Sequence, residues 1–372
     1  MDSSFDSIGI DVPESLLVKA KQGGVHMQDT LVGVDIAKAV FQLAVSNRAG
    51  RFDGQSRLRR DQVLPFFAQL PTAIVIMEAC GSAHFWARKL KELGHAVVLL
   101  PPDQVRPFVK RNKTDRSDAK ALVEAYRNGE IRPVPVKTPE QQVLTALHRL
   151  REGWLAQRTA RLNALRGLLR EQGVFIPVGA GAVIPAVREL IGDADADLAL
   201  PLRAVFAAAC EEIGQIEERL DLVERELAVL AREMAAVARL MTVPGIGLII
   251  ATALVAFVGD LRRFPTARHF ASYLGLTPRE YSSGLRQRLG RISKRGDAYL
   301  RMLLVHGARA LLSRAHTAAK PDRLRTWALE LQKRVHHNKA TVALANKIAR
   351  VAWAVSVKQT DYHSTPAIEK VA

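Results

Sequence analysis

The sequence predicts an α+β multidomain protein: a mixed-sheet domain, then long helical coiled-coil arms, then a mainly helical C-terminal domain. Three observations carry this. Short apolar runs of strand length lie between Leu31 and Leu100, and helical stretches alternate with the later ones. From Ile213 to Val237, apolar residues recur at three- and four-residue spacing. Beyond Met241 the chain reads as helix with one polar interruption, TPREYSSGLRQRLGRISKRGD. At 372 residues, 48% of them hydrophobic, the chain has ample material for a buried core.

The first domain is assigned to 28–138. Residues 31–35 (LVGVD) read as a buried strand ending in an acid, and 39–46 (AVFQLAVS) as a second strand. Asn47–Gly50 is turn material, and a third strand follows around Arg51–Arg57. Asp61–Leu70 reads as helix, and 73–78 (AIVIME) as another apolar strand ending in an acid. Phe85–Leu93 is an amphipathic helix stopped by Gly94. Residues 96–100 (AVVLL) give a fifth strand closed by Pro101 and Pro102, and a further helix starts near Asp115. Three meandering strands followed by alternating helices and strands predict a mixed sheet with helices on its faces, in the ribonuclease-H-like order.

The arms occupy 139–240. A first helix, about Pro139 to Gln172, carries Leu155, Leu162, Leu165 and Leu169 on one face, and also Arg149, Arg151, Arg158, Arg161, Arg166 and Arg170. An irregular insert rich in turn formers spans 173–201. A second stripe runs through Ile213, Ile216, Leu220, Val223, Leu227, Leu230, Met234 and Val237. Its spacing suits either a hairpin within one chain or a coil between chains. The C-terminal domain spans 241–358, with a tail at 359–372 and a loose extension at 1–27, where Met27 stands as an alternative start just before the first strand.

Lys plus Arg number 54 against 37 acids, a formal net charge of +17. Such an excess favours salt-sensitive association with polyanions and points to nucleic acid. The two cysteines, Cys80 and Cys210, form no CxxC pair, so a zinc module is not expected and a reducing, cytoplasmic setting fits. The longest apolar run, Leu248–Val258, is too short to span a bilayer, and the N-terminus lacks the pattern of a secretory leader, so no membrane partner is expected.

Asp35 and Glu78 each close a predicted strand, and those two strands are neighbours in a ribonuclease-H-like sheet. Asp115 and Asp118 share one helix face at i,i+3 spacing. Converging carboxylates repel one another unless a cation neutralises them, and Mg²⁺ or Mn²⁺ suits an all-oxygen site for phosphoryl transfer. Singly, Asp115 is equally an N-cap and Asp35 a strand end. Glu78 is the most telling, since an acid directly after AIVIM is costly if buried unpaired. His84 and His95 read as surface or packing residues.

The segment MTVPGIGLIIATALVAFVGD resembles a helix-hairpin-helix element, in which backbone N–H groups near Gly245 and Gly247 can hold a phosphate; a tight interhelical turn fits equally. The polar interruption then brings Arg279, Arg286, Arg288, Arg291, Lys294, Arg295 and Arg301 around Ser282 and Ser283. Guanidinium forks match phosphate oxygens, and Gly284, Gly290 and Gly296 let a backbone approach a phosphodiester. A serine hydroxyl attacks only when its proton is taken and the attacked phosphate is stabilised.

Together VGVDIAK, IVIMEACGSAHFWA, RNKTDRSDAKALVEA, and VPGIG through FVGDLRRFPTARHFASYLGLTPREYSSG to RISKRGDAYLRMLL resemble the DEDD-type insertion-sequence transposases, a group of bridge-RNA-guided recombinases. The resemblance covers roughly 30–140 and 240–355, in order. It implies Asp35, Glu78, Asp115 and Asp118 as a metal-binding tetrad and Ser283, directly before Gly284, as the covalent nucleophile. It also implies donor and target DNA as substrates, a structured guide RNA, and a homo-oligomer (dimer or tetramer) in which one protomer's carboxylates complete a site with another's serine.

Three other readings compete. An actin-like kinase also opens on a strand-Asp motif, but no Gly-rich phosphate loop follows here. A Holliday-junction-resolvase-like nuclease needs the carboxylates but no serine. A non-catalytic nucleic-acid-binding scaffold needs neither.

Overall fold

The computed structural model of the chain describes residues 30–46, 51–109, 115–196, 198–284, 286–315 and 322–363, without the side chains of 115 and 116. The expected extension at 1–27, the turn at Asn47–Gly50, the Asp115 side chain and the tail beyond His363 lie outside the described residues. The chain divides into two compact units, Met1–Lys137 and Thr138–Ala372.

The first unit is built on a mixed five-stranded sheet ordered β3-β2-β1-β4-β5, with β1 Leu31–Ile36, β2 Val40–Ser46, β3 Phe52–Arg59, β4 Ile74–Glu78 and β5 Ala96–Leu100. β1–β2 and β2–β3 pair antiparallel, β1–β4 and β4–β5 parallel. This order is consistent with a ribonuclease-H-like fold. Strand alternation sends Val32, Val34, Phe41, Leu43, Val75 and Met77 to one face. There they meet helices α1 (Val63–Gln69) and α2 (Ala83–Glu92) through Phe66, Phe67, Trp86 and Leu90. Burying each such side chain contributes about 1.5–3 kcal/mol. His95 belongs to this core: Nδ1 accepts the Ala73 N–H at 3.2 Å and Nε2 lies 2.9 Å from the Phe67 carbonyl oxygen.

Leu31, Ile76 and Leu100 face the other way, against Val105 of the short α3 (Pro102–Val105) and Leu122 and Val123 of α4 (Asp115–Arg127). Gly33 lies on this face. A Cβ there would stand 2.1 Å from the Ala119 carbonyl oxygen, so only glycine lets α4 lie directly on β1.

In the second unit, α5 (Pro139–Glu171) and α7 (Leu200–Arg232) pack within one chain. Arg151, Arg158 and Arg161 meet Glu224, Glu217 and Glu212 at 2.7, 2.7 and 2.9 Å. Ascending against descending numbers make the pair antiparallel. These three arm arginines are thereby engaged by glutamates of the same chain. The expected continuous stripe is also broken. α7 ends at Arg232, Met234 is extended (φ −104°, ψ 94°), and α8 (Ala235–Met241) starts afresh. The expected irregular insert holds α6 (Val183–Gly192), whose Val183 and Val187 are buried with Leu165, Leu169 and Phe206. Pro185 sits in its first turn, where a missing N–H costs nothing, and the Gly/Pro density hid the helix in the sequence.

The C-terminal core gathers α9 (Leu248–Phe257), α10 (Ala267–Tyr273), α11 (Ala298–Ala315), α12 (Arg323–Arg334) and α13 (His337–Lys358). By length and composition α13 could cross a membrane, although charged residues interrupt its apolar run. Packing accounts for its apolarity, since Ala340, Leu344, Ile348, Ala349, Ala352 and Val355 are all buried in this core. Between α10 and α11 a two-stranded hairpin stands out, β6 (Pro278–Glu280) with β7 (Leu289–Ile292).

Candidate active site

The carboxylates of the first unit come together through the sheet. Val34 is the last residue of β1 registered with β4, opposite Met77, so Asp35 and Glu78 follow side by side on parallel strands. Both point to the α4 face by alternation from Gly33 and Ile76. The close contact at Gly33 brings the first turns of α4 down on them, and Asp118 directly precedes Ala119. Asp35, Glu78 and Asp118 then line one cavity of about 590 Å³ with Arg106, Val105 and Leu122. Asp118 Oδ1 is buried and has no hydrogen-bond partner among the described residues. Such an orphan costs about 1–3 kcal/mol unless a ligand or ion meets it.

Asp115 opens α4, but its side chain is not described. Among the described residues no three His, Cys, Asp or Glu side chains stand close enough to hold a metal ion. The donor chemistry nonetheless fits one: carboxylate oxygens only, converging on one cavity, one of them buried and unsatisfied.

Two residues of this region escaped the sequence reading. Arg106 brings a cation to the cavity lining; its only signal was an arginine directly before Pro107. Cys80 lies close enough that burial, then the Glu78 carboxylate, and more weakly Asp35, push its thiol up from the ordinary value. His84 packs rather than binds: it accepts the Lys137 N–H at 3.2 Å, and burial followed by Lys137 and Arg88 lowers it to about 4.

In the second unit Ser283 is exposed at the tip of the β6–β7 hairpin. Its backbone exchanges hydrogen bonds with Arg286, N to O at 3.3 and 3.2 Å, closing a tight turn with Gly284 at φ +54°. The two serines differ sharply. Ser282 Oγ donates to Glu280 Oε1 at 2.6 Å and accepts the Arg288 N–H at 3.1 Å. The Ser283 hydroxyl has no partner among the described residues.

The glycines of this segment divide likewise. A Cβ at Gly284 would meet open space. At Gly290 it would meet the Tyr281 ring, and at Gly296 the Tyr273 carbonyl oxygen at 2.0 Å. Of the three, then, Gly284 alone has room beside it for a phosphate. Arg301 donates to the Leu274 and Arg295 carbonyls at 3.2 and 2.9 Å and so braces the hairpin base. Arg279 reaches the Ser293 carbonyl at 3.3 Å. Arg286, Arg288, Arg291, Lys294 and Arg295 are exposed, with no ion-pair partner among the described residues. Gly245 has a packing reason for its φ of +87°, since its carbonyl lies against Gly307, while the exposed Gly247 caps α9.

A buried node holds the far end of the hairpin. The Thr252 hydroxyl donates to the Leu248 carbonyl at 2.7 Å and so accepts from His148 Nε2 at 3.0 Å. That leaves His148 Nδ1 to accept the Tyr299 hydroxyl proton, also at 3.0 Å. Burial first, then Arg151 and Arg149, lowers the imidazole to about 4. Asp297, which accepts the Tyr299 and Leu300 N–H groups, also faces Arg149 of α5 at 3.8 Å. The sequence offered no sign of this node beyond an unassigned histidine in an arm.

A family model described as Transposase IS116/IS110/IS902 family matches residues 237–322, and a DEDD-type transposase model matches 32–173. The chain is 44% identical over 332 residues to a probable family 20 transposase of Pseudomonas aeruginosa, covering 89% of this chain and 98% of that protein. The chain belongs to the IS116/IS110/IS902 family of transposases. Two further relatives are the transposase for insertion sequence element IS1111A of Coxiella burnetii (38% over 332 residues, 89% of this chain and 91% of that one) and the transposase for IS1328 of Yersinia enterocolitica (37% over 336 residues, 89% and 98%). This transposase is thus a DEDD-type enzyme acting on DNA by phosphoryl transfer. The two matched segments fall on the two regions just described, the carboxylate cavity and the serine hairpin.

Proposed function

We propose that this transposase cleaves and rejoins DNA at insertion-element ends through a covalent phosphoserine at Ser283, assisted by the carboxylates Asp35, Glu78, Asp115 and Asp118 and guided by a structured RNA. The observation that carries the reading is the buried, unpartnered Asp118 Oδ1 in a cavity shared with Asp35 and Glu78. The tetrad would hold Mg²⁺ or Mn²⁺, whose positive charge would offset negative charge developing at the phosphate.

Ser283 Oγ forms the new bond to phosphorus as one deoxyribose oxygen leaves. The serine proton ends on that leaving oxygen, and the reverse step reseals DNA without ATP. The Ser283 hydroxyl and the Arg286 and Arg288 side chains, without partners among the described residues, and the open turn at Gly284 support this role. The charge of +17 supports contact with both DNA and RNA backbones. Sharing of sites between protomers of a dimer or tetramer follows from the family resemblance.

A second reading rests on Ser282, whose hydroxyl already hands its proton toward Glu280. Its oxygen also accepts from Arg288, which draws off the electron pair an attack would use. Trapping the protein–DNA adduct on an SDS gel and mapping it by mass spectrometry separates the two. Adduct on Ser283, absent in Ser283→Ala and in Asp118→Asn, is the expected result. Adduct on Ser282 or Tyr281, or full recombination by Asp118→Asn or in excess EDTA, would overturn the reading. If protomers share sites, mixing Asp118→Asn with Ser283→Ala protein restores part of the activity.

A further inference from the structure

A cavity of the second unit, about 1420 Å³, is not used by the chemistry above. One wall is a face of α13 at the edge of the core. Lys339, Val342, Asn346, Arg350, Ala354 and Lys358 follow one another there at three- and four-residue spacing, with Lys347 and Val351 beside them. Trp327 of α12 lines the cavity too. The opposite wall is the stem of the serine hairpin: Pro278 of β6, and Gly290, Arg291 and Ile292 of β7.

Two properties coincide in this groove. Its floor is apolar, through the half-buried Val342, Val351 and Ala354, with Leu276 and Val355 all but buried. Its edges carry Arg291, Lys339, Lys347, Arg350 and Lys358 against a single acid, Asp361. None of these five cations has an ion-pair partner among the described residues. Lys347 Nζ instead lies 3.9 Å from the centre of the Trp327 ring, and burial, then Arg323 and Arg350, lowers its pKa from the ordinary value. A crowd of like charges over an apolar floor is stabilised by an anion that also carries apolar surface.

From this we infer that the groove binds an unpaired segment of DNA, its phosphates on Lys339, Lys347, Arg350 and Lys358 and a base on the apolar floor beside Trp327. Duplex DNA keeps its bases stacked inside and would leave that floor uncovered. An unpaired strand presents both phosphate and base face, the combination that single-strand channels recognise. From Lys339 to Lys358 the helix runs ~28 Å at 1.5 Å per residue, room for a few nucleotides. Continuity with the hairpin makes the strand DNA, because β7 supplies both a wall of the groove and part of the stem that carries Ser283. The inference rests on the proposed cleavage at Ser283 in this one respect, the choice of DNA over RNA.

The test uses the full chain carrying Ser283→Ala, which binds without cutting. Fluorescently labelled single-stranded DNA, single-stranded RNA and duplex DNA are titrated by anisotropy, and quenching of Trp327 is followed against a Trp327→Phe control. With Lys347→Ala/Arg350→Ala, single-stranded DNA affinity falls about tenfold and its log–log salt slope flattens by about 1.4, at about 0.7 per lost phosphate contact. Duplex affinity changes by less than about twofold. The exposed pair Lys339→Ala/Lys358→Ala gives the same pattern without touching Trp327, which guards against misfolding of the first variant.

Unchanged single-strand affinity in both variants overturns the inference. So does an equal loss for duplex, a preferential loss for RNA, or an altered oligomeric state with DNA affinity intact, which would make the groove a seat for a second copy. Adduct mapping in the Ser283 background is read separately. An adduct on Ser283 with groove variants that bind normally removes the groove and leaves the serine; lost strand binding with no Ser283 adduct does the reverse.

Discussion

Along α5, the guanidinium groups of Arg151, Arg158 and Arg161 each meet a glutamate of α7, whereas Arg286, Arg288, Arg291 and Arg295 of the serine hairpin meet no acid among the described residues. Both regions are arginine-rich in sequence, and composition alone ranks them equally as polyanion contacts. The difference is in what each cation faces once the chain is folded. A paired guanidinium has little field left to offer, while an exposed one that faces no acid can meet a phosphate. Net charge therefore reports that a protein meets nucleic acid, and only pairing reports where.

The contrast is broken most directly at the hairpin. Arg286→Ala/Arg288→Ala is expected to lower strand cleavage about 100-fold, the usual cost of removing a charge aimed at a reacting centre. Thermal stability should stay near that of the parent, because neither side chain has a partner among the described residues to lose. Single-turnover cleavage and a melting curve measure both. Wild-type cleavage by this variant would end the distinction between the two regions.

Next in size is the node where α5 meets the helix following the hairpin. His148 is held neutral, its pKa lowered to about 4 from the ordinary 6.5. The unfolded chain therefore takes up a proton first as pH falls, and stability is lost between 6.5 and 4, by roughly 2–3 kcal/mol. Tyr299, Thr252, Arg149 and Arg151 surround the ring, and among the described residues no carboxylate hydrogen-bonds to it. Denaturant unfolding of the wild type and His148→Gln at pH 7 and pH 4 isolates this contribution. A stability difference between them that does not narrow toward pH 4 contradicts it.

The smallest effect is expected in the arm. Arg158→Ala should cost about 0.5–1 kcal/mol, and a double-mutant cycle with Glu217→Gln should return a coupling of similar size. DNA affinity should change by less than about twofold. A loss comparable to that at the hairpin would mean the pairs open to receive nucleic acid.

How much of this was legible beforehand follows the range of the interactions. The five strands and their order were readable because alternation and apolar runs are local signals, and Asp35 and Glu78 could be placed at strand ends for the same reason. The break at Met234 was not readable, because Leu230, Met234 and Val237 keep helical spacing across it. Helix α6 was hidden under glycine and proline whose positional effects cancel in its first turn. The pairing of Arg158 with Glu217, the orphaned Asp118 Oδ1 and the unequal hydroxyls of Ser282 and Ser283 depend on partners distant in sequence or on geometry within one turn. Spacing rules carry none of that.

Gly33 has a bearing on how such a site tolerates change. With no side chain on β1 at that point, the Ala119 carbonyl rests against bare backbone, and this contact fixes how deep Asp118 reaches. Even a methyl group there acts as a shim: it lifts one end of α4, withdraws a carboxylate, and leaves every charged residue of the sequence intact. A mutational survey confined to acids, serines and arginines would pass over it, although the geometry of the carboxylate cavity hangs on a position that contributes no functional group at all.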